Sequence, residues 1–215
     1  MHLAAIAAAN KLFVMGDPPD YEPTPDRTLA AIAAERGLSL HEAFYDLMLE
    51  NDGQNFFLYP VYNYSYGDSE VIRDQLSHPQ GVIGLADGGA HCGMICDASI
   101  PTYLLTHWAR DRTRGPQLPL EWLVRKHTMD TARLYGFNDR GTLEPGMRAD
   151  LNVVDHAALT LHSPRMAHDL PAGGRRLVQA ASGYDLTMVA GAATRRDGVD
   201  TGARPGRLVR RGGAG

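Results

Sequence analysis

Phe56-Phe-Leu-Tyr-Pro-Val61 and Gly81-Val-Ile-Gly-Leu-Ala86 are two short apolar runs that decide the fold of this chain. Each has the length and composition of a buried strand, and the second ends at Asp87-Gly-Gly. Between them, the run from Glu70 to Ser77 predicts a helix that His78-Pro79 stops. A strand, a helix and a strand in this order form the right-handed crossover unit of a parallel sheet, so the stretch predicts an α/β fold.

The residues before this unit predict one more strand and two helices. Lys11 to Met15 is a short apolar run, and Asp26 is the expected cap of a helix that stops at Gly37. Ser39 and Glu42 have the spacing of a capping box, which opens the next helix.

The residues after the unit change from helical to β-type. Helices are expected from Ile100 to Asp111 and from Leu120 to Tyr135, the second broken near Thr128-Met-Asp130. From Arg140 onward, glycine, proline and short β-type runs predict a small all-β piece. The expected strands are Leu151–Val154, Arg176–Gln179, Asp185–Ala190 and Arg207–Arg210.

Composition excludes several classes of protein and of partner. The 215 residues are 44% hydrophobic and 21% charged, which excludes wholesale disorder, collagen and coiled coil. A net charge of −4 leaves no basic excess for a phosphate backbone, so no nucleic-acid partner is expected. No run reaches the roughly 18 to 20 apolar residues of a membrane span. The two cysteines, Cys92 and Cys96, do not form the framework of a secreted domain, so a cytoplasmic location is predicted.

Asp87 is the leading candidate for a catalytic residue. It follows an apolar strand, and a carboxylate at the carboxyl end of a parallel strand points into the mouth where α/β barrels and open sheets keep their active sites. The alternative is that Asp87 only caps the loop that follows it. Position alone leaves both open.

Several motifs resemble those of a known superfamily. Arg140-Gly-Thr-Leu-Glu-Pro-Gly-Met-Arg-Ala-Asp-Leu-Asn-Val-Val-Asp155 is similar to the segment with which amidohydrolase-superfamily enzymes leave their barrel and enter a small β-sandwich. The stretch from Leu120 to Gly136 resembles the helix pair before that exit. Gly84-Leu-Ala-Asp-Gly-Gly and the closing stretch from Thr201 to Val209 are most similar to the N-acyl-D-amino-acid deacylase (D-aminoacylase) branch.

The resemblance implies a fold and a division into domains. It implies the C-terminal part of a (β/α)8 metal-dependent hydrolase barrel, with its seventh strand at Phe56–Val61 and its eighth at Val82–Ala86. Part of a small β-sandwich would follow. The expected bounds are 1–140 for the barrel segment, 141–211 for the sandwich segment and 212–215 for a tail.

The resemblance also implies a hydrolase of non-peptide C–N (amide) bonds. Zinc would polarise the carbonyl and activate water, and the substrate would be a small N-acylated or amide molecule. Asp87 matches the aspartate that follows the last barrel strand in this family, where it binds or approaches the metal-bound water. It would therefore be both a metal ligand and the general base that passes a proton to the leaving nitrogen.

The sequence departs from the family pattern in two respects. Its nine histidines include no His-x-His pair, so most zinc ligands are expected to be absent from this chain. We therefore expect a C-terminal portion of a longer enzyme that is inactive alone. No arginine or lysine lies between Asp87 and Arg110 to hold a substrate carboxylate, which leaves other amides or ureides open as substrates.

Four more residues are predicted to bind substrate. His91 lies four residues beyond Asp87 and would line the pocket. Tyr62, Asn63 and Tyr64 belong to the aromatic loop, residues 62–67, which follows the first apolar run and would form a pocket wall. Core packing is the alternative for about half of such aromatic side chains.

Two other interpretations stay open. The chain could be a noncatalytic oligomerisation or binding module, because incomplete sheets leave edges that pair with other chains. A homo-oligomer, or association with a missing N-terminal part, is then expected. His91, Cys92 and Cys96 could instead form a local zinc site, but structural zinc usually takes two well-separated ligand pairs. The alternative is that the cysteines are small buried hydrophobic residues.

Overall fold

The computed structural model describes residues 6–84, 92–94 and 97–210. The chain divides into two compact units, Met1–Pro79 and Gln80–Gly215. Both helices and strands are present, which confirms a mixed α and β protein. The barrel portion, the sandwich and the domain bounds at 140 and 211 stay predictions.

In its described part, residues 6–79, the first unit contains a two-stranded ladder and three α-helices of eight to ten residues. In chain order its elements are β1 (Phe13–Val14), α1 (Leu29–Arg36), α2 (Leu40–Leu49), β2 (Phe57–Leu58) and α3 (Glu70–Ser77). β1 and β2 pair antiparallel, with Phe13 opposite Leu58. The core lies between α1 and α2, where Leu29, Ala43 and Leu47 are buried.

Capping explains where α1 and α2 begin. The predicted capping box is confirmed, since the Ser39 hydroxyl accepts the Glu42 N–H and the Glu42 carboxylate accepts the Ser39 N–H. The predicted cap at Asp26 is wrong, because the Thr28 hydroxyl accepts the Ala31 N–H at 3.2 Å. Thr28 has the extended backbone that a helix cap needs, whereas Asp26 lies inside a preceding 3₁₀ turn.

The helices of the second unit contain wider turns. The short α4 (Ile100–Tyr103) continues as a π-helical segment, Leu104–Asp111. The next helix consists of α5 (Leu120–Arg125), a π-helical turn over Lys126–Asp130, and α6 (Thr131–Tyr135). The predicted break at Thr128-Met-Asp130 is therefore wrong: the backbone at Lys126 and Thr131 is right-handed helical, and a widened turn replaces a break.

The β-rich remainder begins at Leu151. Its strands are β3 (Leu151–Val154), β4 (Thr160–Leu161), β5 (Arg165–Leu170), β6 (Gly174–Val178), β7 (Ala181–Ser182), β8 (Tyr184–Val189), β9 (Ala192–Arg196) and β10 (Val199–Asp200). One sheet has the order β10-β9-β8-β3, and β4 pairs with β7 and β5 with β6. All these pairs are antiparallel.

Three of the four predicted strands in this part are confirmed: β3 with the predicted bounds, and β6 and β8 with small shifts. The fourth, over Arg207–Arg210, is wrong, because residues 203–210 form no strand. Among the described strands none pairs with that segment, whereas each confirmed strand lies against a neighbour.

The strand predicted over Gly81–Ala86 is not formed in its described residues, 81–84. The physical reason is that two of the carbonyls there accept hydrogen bonds from side chains of the α5–α6 helix: Lys126 bonds Gly81 and Thr131 bonds Ile83. Across the described ranges, we find no helix with the length and apolar character of a membrane span.

Candidate active site

Three of the residues predicted for chemistry lie outside the described residues. They are Asp87, His91 and Cys96. The structure therefore shows the candidate site through what flanks it: residues 81–84 before it, Cys92 to Met94 within it, and the side chains that hold these segments.

The segment 81–84 leads toward Asp87 and is held by the α5–α6 helix. The Lys126 ammonium donates to the Gly81 carbonyl at 2.5 Å, and the Thr131 hydroxyl lies 3.1 Å from the Ile83 carbonyl oxygen. Ile83 is buried, with 8% of its surface exposed, while Val82 and Gly84 on either side of it are exposed. The segment thus presents one side to the unit's interior and the other to solvent.

Lys126 is buried as deeply as a core side chain, with 5% of its surface exposed. Lysine is almost never buried unless its charge is satisfied. Here the ammonium bonds the Gly81 carbonyl and lies 5.2 Å from the centre of the Trp122 ring, close enough for a cation–π interaction.

The segment after the candidate base is held by a strand. The Leu177 N–H of β6 donates to the Cys92 carbonyl at 2.6 Å, and Cys92 is a free, half-buried thiol. The neighbouring Arg176 bonds Asp169 at 2.7 and 2.8 Å. Those bonds raise the pKa of the Arg176 guanidinium and lower the pKa of the Asp169 carboxyl.

The aromatic loop divides its predicted binding residues between solvent and core. Tyr62 is 82% exposed, whereas Tyr64 is 8% exposed and donates its hydroxyl proton to the Pro23 carbonyl at 2.7 Å. The Asn63 amide lies 3.5 Å from that of Gln75. Tyr62 and Asn63 can thus meet a ligand from solvent, and the Tyr64 hydroxyl is already bonded within the unit. A substrate-binding role for the three stays a prediction.

Arg110 is the first cation after Asp87 in the sequence, and its donors bond the protein itself. Its guanidinium donates to the Leu159 carbonyl at 2.8 Å, to the His156 carbonyl and to the Asp111 carboxylate. The hydrogen bond to Asp111 raises the pKa of Arg110, so the group stays fully charged. Its role in the structure is to hold the turn before β4.

The described residues do not form a metal centre. Across residues 6–84, 92–94 and 97–210, no group of three or more histidine, cysteine, aspartate or glutamate side chains is placed to hold a metal ion. The predicted local zinc site includes His91 and Cys96, which lie outside these ranges, and it stays a prediction.

Sequence reasoning did not identify Lys126 and Thr131. A signal was present, because Lys126 lies three residues after Leu123, which is fully buried, and so occupies the apolar face of the predicted helix. A cation on the apolar face of a helix indicates a buried hydrogen-bond partner. The partner itself, 45 residues earlier in the chain, had no signal in the sequence.

Comparison with known proteins identifies a family. The model of an amidohydrolase family matches residues 2–194. Uncharacterized proteins of Mycobacterium tuberculosis and Mycobacterium bovis are 32% identical over 139 residues, which is 61% of this chain and 22% of theirs. The chain thus spans about a fifth of the length of these curated relatives.

Solved structures of D-aminoacylases are also similar. One described as defining a novel subset of amidohydrolases is 26% identical over 91% of this chain and 37% of its own, with a TM-score of 0.46. A mutant D-aminoacylase in complex with CuCl2 is 26% identical over 93% of this chain and 38% of its own, with a TM-score of 0.49.

Proposed function

Since the chain belongs to the amidohydrolase family, we propose that it serves the hydrolysis of non-peptide C–N (amide) bonds in small N-acylated molecules. The observation that carries this proposal is the family match over residues 2–194, which spans both units. The motifs around Gly84 and Thr201 favour N-acyl-D-amino acids as the substrate class.

Asp87 is the proposed general base. Its carboxylate would take a proton from the attacking water, whose oxygen adds to the amide carbonyl carbon. The same proton would then pass to the nitrogen as the C–N bond breaks, so that a carboxylic acid and an amine are released. Support comes from the position of Asp87, three residues beyond a segment whose backbone is anchored at Gly81 and Ile83.

Zinc, which the family resemblance implies, does not fit the residues that the structure describes, because they contain no suitable group of ligands. A zinc site would need Asp87 together with further ligands outside the described ranges.

The test is amine release from matched N-acetyl-D- and N-acetyl-L-amino acids by the complete gene product, with and without Asp87→Asn. We expect a preference for the D-isomers and a loss in kcat of about 10²- to 10⁴-fold in the variant, the usual contribution of a general base. The melting temperature should not change, because Asn preserves the size of the side chain.

Asp197→Asn is the matched control. Asp197 is exposed and has a φ of 47°, a backbone conformation that Asn also tolerates. Its variant should keep full activity. Unchanged kcat in Asp87→Asn would refute the catalytic role, and equal rates on both isomers would refute the D-aminoacylase substrate class.

A further inference from the structure

The π-helical turn Lys126–Asp130 brings two side chains of one helix to the same side. Five residues of a regular α-helix advance by about 500°, which would place Lys126 and Thr131 about 140° apart. A π-helical turn closes from residue i to residue i+5 instead. The Thr131 side chain also reaches back across this turn, since its hydroxyl lies 2.9 Å from the Lys126 carbonyl oxygen.

The two side chains bond alternate carbonyls of one short segment. Lys126 donates to Gly81 at 2.5 Å, and the Thr131 hydroxyl shares its proton between the Ile83 carbonyl and the carbonyl of Lys126. These carbonyls belong to residues two positions apart, and the one widened turn supplies a donor to each of them. A regular helix could present only one of these side chains to the segment.

Burial makes these contacts specific. Lys126 and Ile83 are 5% and 8% exposed and Gly81 is half-buried, so water reaches these two hydrogen bonds only in part. A hydrogen bond from an ammonium group to a carbonyl is stronger than a neutral one, and a buried group left without its partner bears the full cost of desolvation.

We propose that Lys126 and Thr131 are positioning residues for Asp87. They hold residues 81–84 in place so that Asp87, three residues beyond Gly84, meets its substrate in a reproducible orientation. This role rests on the proposed function of Asp87, while the anchoring of residues 81–84 can be measured without any activity.

The first experiment is hydrogen–deuterium exchange on the full chain, read in peptides that cover residues 81–84. Lys126→Met and Thr131→Val should each speed exchange there by at least about fivefold, as expected for the loss of one net hydrogen bond. Lys126→Arg retains a donor and should restore most of the protection. If Lys126→Met does not fold, Thr131→Val decides the result.

The chain offers matched controls on the same helix. Thr128 donates only within its helix, to the Val124 carbonyl, and the exposed Arg125 pairs with Asp130. Thr128→Val and Arg125→Met should therefore leave exchange at 81–84 unchanged. Equal exchange in Thr131→Val and Thr128→Val would overturn the anchoring role.

The second experiment measures kinetics in the complete gene product. Lys126→Met and Thr131→Val should lower kcat by about 10- to 100-fold, the size of effect expected when a reacting group is misplaced by about 1 Å, and leave KM unchanged. In an Asp87→Asn background, neither should cause a further loss. Additive losses in the double variants, or a rise in KM alone, would overturn positioning of Asp87.

The two experiments separate the possible failures. If Asp87→Asn keeps full turnover, the proposed base is wrong and the positioning role falls with it, while faster exchange at 81–84 would still establish the anchoring. If Asp87→Asn abolishes turnover and exchange at 81–84 does not respond, the proposed function stands and this inference is wrong.

Discussion

The aromatic loop of the first unit and the segment 81–84 of the second are held by opposite means. The aromatic loop is anchored by its own side chain, since Tyr64 is buried and donates to Pro23, while its neighbour Tyr62 faces solvent. The segment 81–84 is anchored through its backbone, by side chains of a distant helix.

The difference shows which residues each region leaves available for function. An anchor supplied by the loop itself uses up one predicted binding residue, Tyr64, and leaves Tyr62 and Asn63 available. An anchor supplied from elsewhere uses none of the segment's own side chains. The exposed Val82 can therefore vary, whereas Ile83 is buried and the positions of Lys126 and Thr131 must each retain a hydrogen-bond donor.

Removing the Tyr64 side chain should have the largest effect. The ring is buried and packs edge-on against Phe13, with 6.0 Å between ring centres. Tyr64→Ala is expected to lower the free energy of unfolding by about 3 to 5 kcal/mol, the usual cost of truncating a large buried aromatic residue. Urea unfolding followed by circular dichroism measures it. Tyr62→Ala, at an exposed position, should change stability by no more than about 0.5 kcal/mol.

Removing only the Tyr64 hydroxyl should have a smaller effect. Tyr64→Phe keeps the packing and leaves the Pro23 carbonyl without this donor, at a cost of about 1 to 3 kcal/mol. The same unfolding measurement applies, with Tyr62→Phe as its control. A stability equal to that of the unmodified chain would show that packing alone anchors the loop.

The smallest effect concerns pH and the π-helical turn. Burial lowers the pKa of His127, which lies beside Lys126 in that turn. As the pH falls, His127 of the unfolded chain therefore takes up a proton near its ordinary pKa of about 6.5, whereas His127 of the folded chain takes it up only at lower pH. The contribution of neutral His127 to the free energy of unfolding is therefore fully present above a pH of about 6.5. It is lost as the pH falls from there toward the lower pKa of the folded chain.

His127→Gln should flatten this part of the pH dependence, measured as melting temperature from pH 7.5 to 5. His168→Gln, at an exposed position on β5, is the matched control and should retain the slope. If the slope of melting temperature against pH is unchanged in His127→Gln, the turn is open to solvent. That result would weaken the contrast between the buried anchors in the turn and the exposed side of the aromatic loop.

Predictions from the sequence succeeded where an element is determined by residues that are close to one another in the chain. The Ser39 and Glu42 capping box and the bounds of α3 depend on groups three or four residues apart. The strand β3 also matched, because its short β-type run is bounded by Asp150 and Asp155. Asp26 failed as a cap because its backbone belongs to the preceding turn, and residue type alone does not show that.

The candidate site was predictable only in part. The motif at Asp87 and the family were accessible from sequence because they are contiguous patterns, and the family is confirmed over residues 2–194. Lys126 and Thr131 were not, because the carbonyls that they bond lie 45 and 48 positions earlier in the chain.

The sequence by itself determined the composition class, the family, most helices and three strands of the β-rich part. Each depends on local periodicity, caps or contiguous motifs. Only the tertiary structure decided that Tyr64 is a core residue, that residues 81–84 bond side chains of a helix, and that Lys126 is buried. These depend on long-range hydrogen bonds and burial, which arise when distant segments exclude water from one another.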